Sequence, residues 1–502
     1  MCAVAAVLAV AFGLGSPFTD GMVLQRGMKV PVWGWGEPGA KVAVSFAGQS
    51  KAAKVAPDGR WRVDLDPLEA SSVPRRLTAG DKTVENVLVG EVWFASGQSN
   101  MALPLVSDNP HGRDRNGELF AQMTYRPNVR VAFMKAGVKA APQKKTAEPV
   151  VWRAFCPETL RVNISAVAAY YAVELHDAIG VPIGIVEVYR GGSRLEPWVP
   201  NEGFRAVPSL KAFAEYVPVE KGFSKDALLA LCPKIIKSHL STIFQPSVHW
   251  NAMVEPWVPY AARGMIWYQG EANAAEAFEY VPKMHALYKG WSTRFENPSF
   301  RLYFSQLASI SGESFDFQRA QEQYAQEEPN AAIAIITDVG NPSDIHPNEK
   351  ELVARRLAAH ALRRDYGFDS LRDDSPRYAG CRADGTNIVV RFHNAERMYV
   401  YNQGFSADAP FEVAGEDGVF RKATIANLRM GRWSTGKEFV SGNIEPGDKI
   451  VLVSREVPKP VKVRYLFNKP WKGTVYNESN LPLGPFLGEA GGVEGTREGV
   501  TR

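Results

Sequence analysis

The sequence predicts an α/β protein in three parts: a central three-layer α/β/α domain with a parallel sheet at residues 89–366, between β-sandwich-like domains at 17–88 and 367–487. Three observations carry that expectation. Up to residue 88 the apolar residues alternate in short runs broken by tight turns. From 89 to 366 apolar strands alternate with amphipathic helical stretches, the rhythm of a parallel sheet covered on both faces. From residue 367 the short-strand pattern returns.

Residues 3–12 form an uncharged apolar run of signal-peptide length, too short to cross a bilayer, and Ala11-Phe12-Gly13 resembles a small-x-small cleavage site. Residues 1–16 are therefore read as a leader and the protein as secreted or periplasmic, although a basic n-region is missing. Runs 29–35 and 41–46 alternate as strands, and Pro57-Asp58-Gly59-Arg60 marks a hairpin. In the central domain strands are expected at 87–94, 181–189, 263–268, 301–307 and 331–337, and helices at 165–178 and 348–364. Residues 387–392, 449–453 and 461–467 read as strands of the last domain, and 488–502, rich in Gly, Glu and Arg, as a disordered tail.

Composition is that of a globular protein, with 45% hydrophobic and 22% charged residues. A net charge of +4 over this length gives no nucleic-acid footprint, and Lys135, Lys139, Lys144 and Lys145 lie among Gly, Ala and Pro as a solvated loop. No stretch is long enough for insertion into a membrane. Cys2 would leave with a leader, and Cys156, Cys232 and Cys381 permit one disulfide at most and no zinc site. No metal and no cofactor are expected, and the oligomeric state is not readable.

Four loops follow strands of the central domain, and in a parallel sheet such loops converge on one edge. They are Gly97-Gln98-Ser99-Asn100, Arg190-Gly191-Gly192-Ser193, Gln269-Gly270-Glu271-Ala272-Asn273, and the run from Asp338 to Pro347 containing Asp344 and His346. Alone, each is ordinary: a polar turn, a glycine turn, a helix cap, a loop histidine. Together they supply acyl-transfer chemistry. A serine hydroxyl becomes a nucleophile when a histidine takes its proton, and that histidine needs a carboxylate on its other nitrogen. Ser99, His346 and Asp344 are the candidates, Asp344 before Glu271 or Asp338 because residues two apart in an extended segment point the same way. The N–H groups of Ser99 and Gly192 and the side-chain amide of Asn273 are candidate oxyanion donors. Gln98, Gln269, Glu271 and Asn251 are candidate supports. Arg190 and Arg194 could pair with a substrate carboxylate, against the alternative that they form structural ion pairs, as Arg194 could with Glu196.

Ser99, Gly192, Asn273 and His346 on successive strand ends resemble the four blocks of the SGNH (GDSL-like) hydrolase superfamily. More closely, Gly90-Glu91-Val92-Trp93 with Ser96-Gly97-Gln98-Ser99-Asn100-Met101, Ile266-Trp267-Tyr268-Gln269-Gly270-Glu271-Ala272-Asn273, and Asp344-Ile345-His346-Pro347 resemble the sialate O-acetylesterase family. Met22-Val23-Leu24-Gln25-Arg26 and Asn480-Leu481-Pro482 extend the likeness to both ends of the chain. Ser343 stands where the superfamily places an Asp, and Trp250 where the family shows Tyr. The resemblance implies an SGNH-type fold and removal of O-acetyl groups from a sugar through an acetyl-Ser99 intermediate, with His346 as general base and no metal. The substrate would be an O-acetylated carbohydrate: sialic acid first, acetylated xylan or xyloglucan as the alternative. A third reading, a non-catalytic glycan-binding protein, fits less well because nucleophile and base are both present.

Overall fold

The computed structural model describes residues 12–107, 114, 116–235, 240–309, 314–340, 344–401, 410–431, 441–467 and 474–491. The chain divides into two compact units, Met1–Asn273 with Pro282–Tyr303, and Ala274–Val281 with Phe304–Arg502.

In the first unit, Gly13–Leu14, Val30–Trp35 and Arg60–Leu65 form a three-stranded antiparallel sheet. Gly13 pairs with Trp35 and the Gly15 N–H donates to the Trp33 carbonyl, so residues 13–16, expected in a leader, belong to the fold. Residues 1–11, which carry the rest of that expectation, lie outside the described residues. The turn at Gly59 is present (φ +81°), but it joins strands of different sheets and closes no hairpin: Gln49–Lys54 pairs with Lys41–Phe46, and Arg60–Leu65 with Val30–Trp35.

The longest strand, β1 (Lys82–Gly97), runs through the expected domain boundary at residue 88. Its first half pairs with Ser71–Ala79 and Val23–Gln25, and its second half with the central sheet. Every residue from Val87 to Gly97 is buried, so no solvated linker separates the two parts. The buried Glu91 carboxylate fastens them, accepting from Gln25 at 2.8 Å, Arg26 at 2.7 Å and Arg263 at 3.0 Å.

The central sheet adds β2 (Arg126–Phe133), β3 (Trp152–Phe155), β4 (Ile183–Tyr189), β5 (Gly264–Tyr268) and β6 (Arg301–Ser305), in the order β3-β2-β4-β1-β5-β6. Strands β4 and β5 run parallel to β1 on either side of it; β3 is an antiparallel edge strand. The chain thus fills one side of β1 before crossing to the other, which makes the carboxyl end of β1 a topological switch point. Register sets the level: Tyr189 and Tyr268 both pair with Gly97, so three loops leave the sheet together. Helix α1 (Ser99–Ala102) follows β1, and α2 (Ala166–Ile179) precedes β4, capped by the Ser165 hydroxyl and closed by Gly180 in the left-handed region.

In the second unit, β7 (Ala331–Ala334) ends before the apolar run does, and Thr337–Asp338 already turn. Helix α3 (Lys350–Asp365) packs against β7. Its Arg356 holds both oxygens of Asp338 at 2.7 Å. The β-rich region contains a seven-stranded and a four-stranded sheet around a core that includes Ile388, Phe411, Ile450, Tyr465 and Phe486. Its last strand, Phe486–Glu489, pairs with Lys462–Tyr465, so Gly488 and Glu489, expected in a disordered tail, belong to the fold. Gly488 fits there because a Cβ would stand 2.2 Å from the Tyr378 hydroxyl. Residues 492–502 lie outside the described residues. Cys156, Cys232 and Cys381 are free thiols, and among the described residues no helix is long and apolar enough to cross a membrane.

Candidate active site

Strand β1 ends in a turn that only glycine accommodates. Gly97 has φ +134°, and a Cβ there would lie 2.2 Å from the Tyr268 carbonyl oxygen. The next peptide is clamped on both sides: the Gln98 N–H donates to the Tyr268 carbonyl at 3.0 Å, and the Arg190 N–H to the Gly97 carbonyl at 3.1 Å. Ser99 follows, half-buried, as the first residue of α1. A Cβ built on Gly191 would come within 4.0 Å of the Ser99 Cβ, so the glycine loop lies against the serine. Gly192 adopts φ +69° with open space where a side chain would be.

Three loops of this unit are bound into one network. The Gln98 Oε1 accepts from Gln269 Nε2 at 3.1 Å and from the backbone N–H groups of Gly270 and Ala272. Gln269 Nε2 also donates to the Ser193 carbonyl at 3.1 Å and to Asn273 Oδ1 at 2.9 Å. Asn100 donates to Glu271, which braces α1 against the β5 loop.

Beneath these loops lies a buried carboxylate, Glu196. Arg194 Nη2 reaches it at 2.9 Å, Lys283 Nζ at 2.6 Å, and Asn273 Nδ2 stands 3.3 Å from each of its oxygens. Burial pushes its pKa up, but the charges of Arg194 and Lys283 outweigh burial and hold it below the usual carboxylate range. Sequence reasoning named Glu196 only as a partner for Arg194 and missed Lys283, which no local spacing connects to it.

Two candidate residues take other roles than substrate binding. Arg194 is buried, tied to Glu196 and, at 2.8 Å, to the Ala272 carbonyl, so its guanidinium is structural. Asn251 is buried, and its amide donates to the carbonyls of Lys139 and Ala140, pinning that loop instead of facing a ligand. Asn273 is mixed: its Oδ1 accepts from the Leu195 N–H at 3.0 Å, which turns Nδ2 toward Glu196. Arg190 is exposed on its loop, close enough to lower the pKa of His249. That histidine falls to about 4, mainly through burial, and its Nδ1 meets the Gly137 carbonyl at 2.9 Å.

Asp344 and His346 belong to the second unit. Asp344 Oδ1 accepts the His346 backbone N–H at 2.8 Å and lies 3.6 Å from His346 Nδ1. The main-chain bond therefore holds the carboxylate beside the ring. Asp338 is committed to Arg356. Residues 341–343, including Ser343, lie outside the described residues.

No protein-family model matches the chain. Over 421 residues it is 27% identical to sialate O-acetylesterase of Rattus norvegicus, covering 73% of this chain and 76% of that protein. Over 412 residues it is 27% identical to the human sialate O-acetylesterase, covering 73% of each. Its fold matches the crystal structure of a carbohydrate acetylesterase from Xanthomonas citri with a TM-score of 0.77 and 28% identity, covering 95% of this chain and all of that one.

Proposed function

We propose that this protein is a carboxylic ester hydrolase that removes O-acetyl groups from sugars through an acetyl-Ser99 intermediate. The observation that carries the reading is the clamped serine turn at the switch point of the sheet, in a chain similar to sialate O-acetylesterases and to a carbohydrate acetylesterase. In this reading residues 89–366 act as an SGNH-type three-layer catalytic domain flanked by β-sandwich-like domains. His346 takes the Ser99 proton as the hydroxyl oxygen attacks the acetyl carbonyl, then returns it to the leaving sugar oxygen. Water, deprotonated by the same imidazole, releases acetate. The N–H groups of Ser99 and Gly192 receive the oxyanion, joined by the second Nδ2 hydrogen of Asn273. Glu196, Gln98 and Gln269 hold that surface in place before substrate arrives. Export, as a secreted or periplasmic enzyme, is part of the proposal and rests on the apolar run at 3–12.

Sialic acid is the first substrate to try, because it is the one named for the curated relatives. Acetate release from O-acetylated sialic acids, acetylated xylan and acetylated xyloglucan is the direct test. Release from at least one is expected; release from none, with simple acetyl esters also spared, would contradict the proposal.

Asp344 is assigned the role of orienting His346. Asp344→Asn is expected to lower kcat by about 10²–10⁴-fold with little change in KM, because an imidazole without its carboxylate loses the productive tautomer. Glu271→Gln and Asp338→Asn should lose less. A mild Asp344→Asn beside a collapsed Asp338→Asn would mean that the carboxylate is misassigned.

A further inference from the structure

A carboxyl group is buried inside the sheet, close to the strand ends from which the serine turn leaves. Glu187 of β4 pairs with Ala95 of β1 on one side and Phe133 of β2 on the other, and it is wholly enclosed. Residues two apart on a strand share a face, so Glu187 and Tyr189 lie together. Glu187 Oε1 accepts the Ser165 N–H at 3.1 Å, and Oε2 accepts the Tyr189 hydroxyl at 2.8 Å. That hydroxyl also stands 3.4 Å from the Asn163 carbonyl. The carboxyl thus grips the chain at residue 165 directly and reaches 163 through the tyrosine.

What it grips is the support of α1. Pro104 and Ser165 form an antiparallel bridge, in which the Ala166 N–H donates to the Leu103 carbonyl at 3.0 Å and the Leu105 N–H to the Ile164 carbonyl at 2.8 Å. The Ser165 hydroxyl, which caps α2, also reaches Met101 Sδ at 3.6 Å. Leu103 closes α1 by donating its N–H to the Ser99 carbonyl at 2.8 Å. The clamp at Gly97 and Gln98 fixes Ser99 from one side, and the 163–166 bridge fixes it from the other.

The charges on the surrounding segments are engaged elsewhere. Arg161 pairs with Glu118 at 2.6 Å, Arg130 of β2 donates to the Gly21 and Asn86 carbonyls, Asp114 accepts the Tyr170 hydroxyl of α2 at 2.7 Å, and Arg190 is exposed. Among the described residues no cation pairs with Glu187, and burial pushes its pKa up to about 7 against the pull of its two hydrogen bonds. Burial and the neighbouring carboxylate keep Tyr189 protonated. A tyrosine has one hydroxyl hydrogen, so the two states of Glu187 differ. With the acid protonated, its own hydrogen goes to the tyrosine oxygen and the tyrosine hydrogen is free for the Asn163 carbonyl. With the acid ionised, the tyrosine hydrogen is drawn to the carboxylate, and a buried charge stands without a counter-ion. We infer that Glu187 is a positioning residue that sets α1 and Ser99 for attack through Tyr189 and the 163–166 bridge, and that it does so best in its protonated form. The inference rests on the esterase reading for the attack and on the hydrogen bonds alone for the positioning.

The test combines kinetics with hydrogen exchange on the full chain. Glu187→Ala is expected to lower kcat for a soluble acetyl ester about 10–100-fold with KM within about twofold, because the reacting atoms lose their alignment while the binding surface stays. Peptides covering 99–105 and 163–167 should exchange faster in that variant. Glu187→Gln has the shape and hydrogens of the protonated acid and should restore kcat to within about threefold of the wild type near pH 6. Wild-type kcat should fall as pH rises through about 7, and Glu187→Gln should lack that descending limb while keeping the ascending limb of the general base. Tyr189→Phe removes a donor that favours the ionised form, so its descending limb should move to higher pH. The folded protein holds this proton more tightly than the unfolded chain, so the wild type should lose stability relative to Glu187→Gln as pH rises from 4.5 to about 7, and no more beyond. If Glu187→Ala does not fold, the pH comparison of wild type with Glu187→Gln decides alone. A descending limb unchanged in Glu187→Gln, or wild-type kcat in a folded Glu187→Ala, would overturn the inference. Faster exchange of the two peptides with no acetate released from any substrate would instead sink the esterase reading and leave the anchor standing.

Discussion

Replacing Ser99 by Ala is expected to lower kcat by about 10³–10⁶-fold, His346→Ala to cost a similar factor, and the double variant to lose no more than the worse single one. The reason is chemical: with the nucleophile gone the base has no proton to take, and with the base gone the hydroxyl stays protonated and inert. Non-additivity is the informative part, because Ser99 and His346 belong to different compact units of the chain. If the two losses multiplied, the residues would be acting independently and the triad would be wrong. Steady-state kinetics on a soluble acetyl ester, with circular dichroism to show that each variant is folded, provides the measurement.

The second large effect is on stability. Glu196 is fully buried and is the shared counter-ion of Arg194 and Lys283, which are themselves almost wholly enclosed. Glu196→Ala leaves two buried cations without their anion and is expected to destabilise the first unit by about 3–5 kcal/mol. It also releases Asn273 Nδ2 and the Ala272 carbonyl's partner Arg194, so kcat should fall even under conditions where the protein stays folded. A denaturant midpoint within error of the wild type would show that the cluster contributes little. Glu196→Gln keeps the shape and loses the charge; it should lie between the two, because the amide still accepts a hydrogen bond but cannot balance two cations.

Much of the sheet was legible because its inner strands are covered on both faces. Residues 183–189 and 264–268 are wholly buried, and such strands read as unbroken apolar runs. Strand β2 escaped for the opposite reason: Arg130 interrupts its apolar pattern, and only the structure shows that residue buried, donating to the Gly21 and Asn86 carbonyls at 2.7 Å and more closely. The expected boundary at 88 falls inside a continuous strand, because a change of rhythm does not require a break in the chain; β1 pairs with both regions. In the site, the glycines and glutamines could be named from loop chemistry. The Glu196 cluster could not, since Lys283 comes from 87 positions away and carries no local mark of its role. For Arg194 the ion pair with Glu196 was the alternative the sequence offered, and for Asn251 a supporting role; their backbone partners, the carbonyls of Ala272 and of Lys139 and Ala140, are what no local pattern marks.

Covalent labelling tests the central claim most directly. Treatment with a serine-directed fluorophosphonate, followed by digestion and mass spectrometry, should place one adduct on the peptide carrying Ser99 and abolish acetate release in proportion to labelling. His346→Ala should slow that labelling strongly while leaving the fold intact, since the reagent needs the same activated hydroxyl as the ester. An adduct on a different serine, or full loss of activity with Ser99 unmodified, would contradict the assignment of Ser99 as the nucleophile.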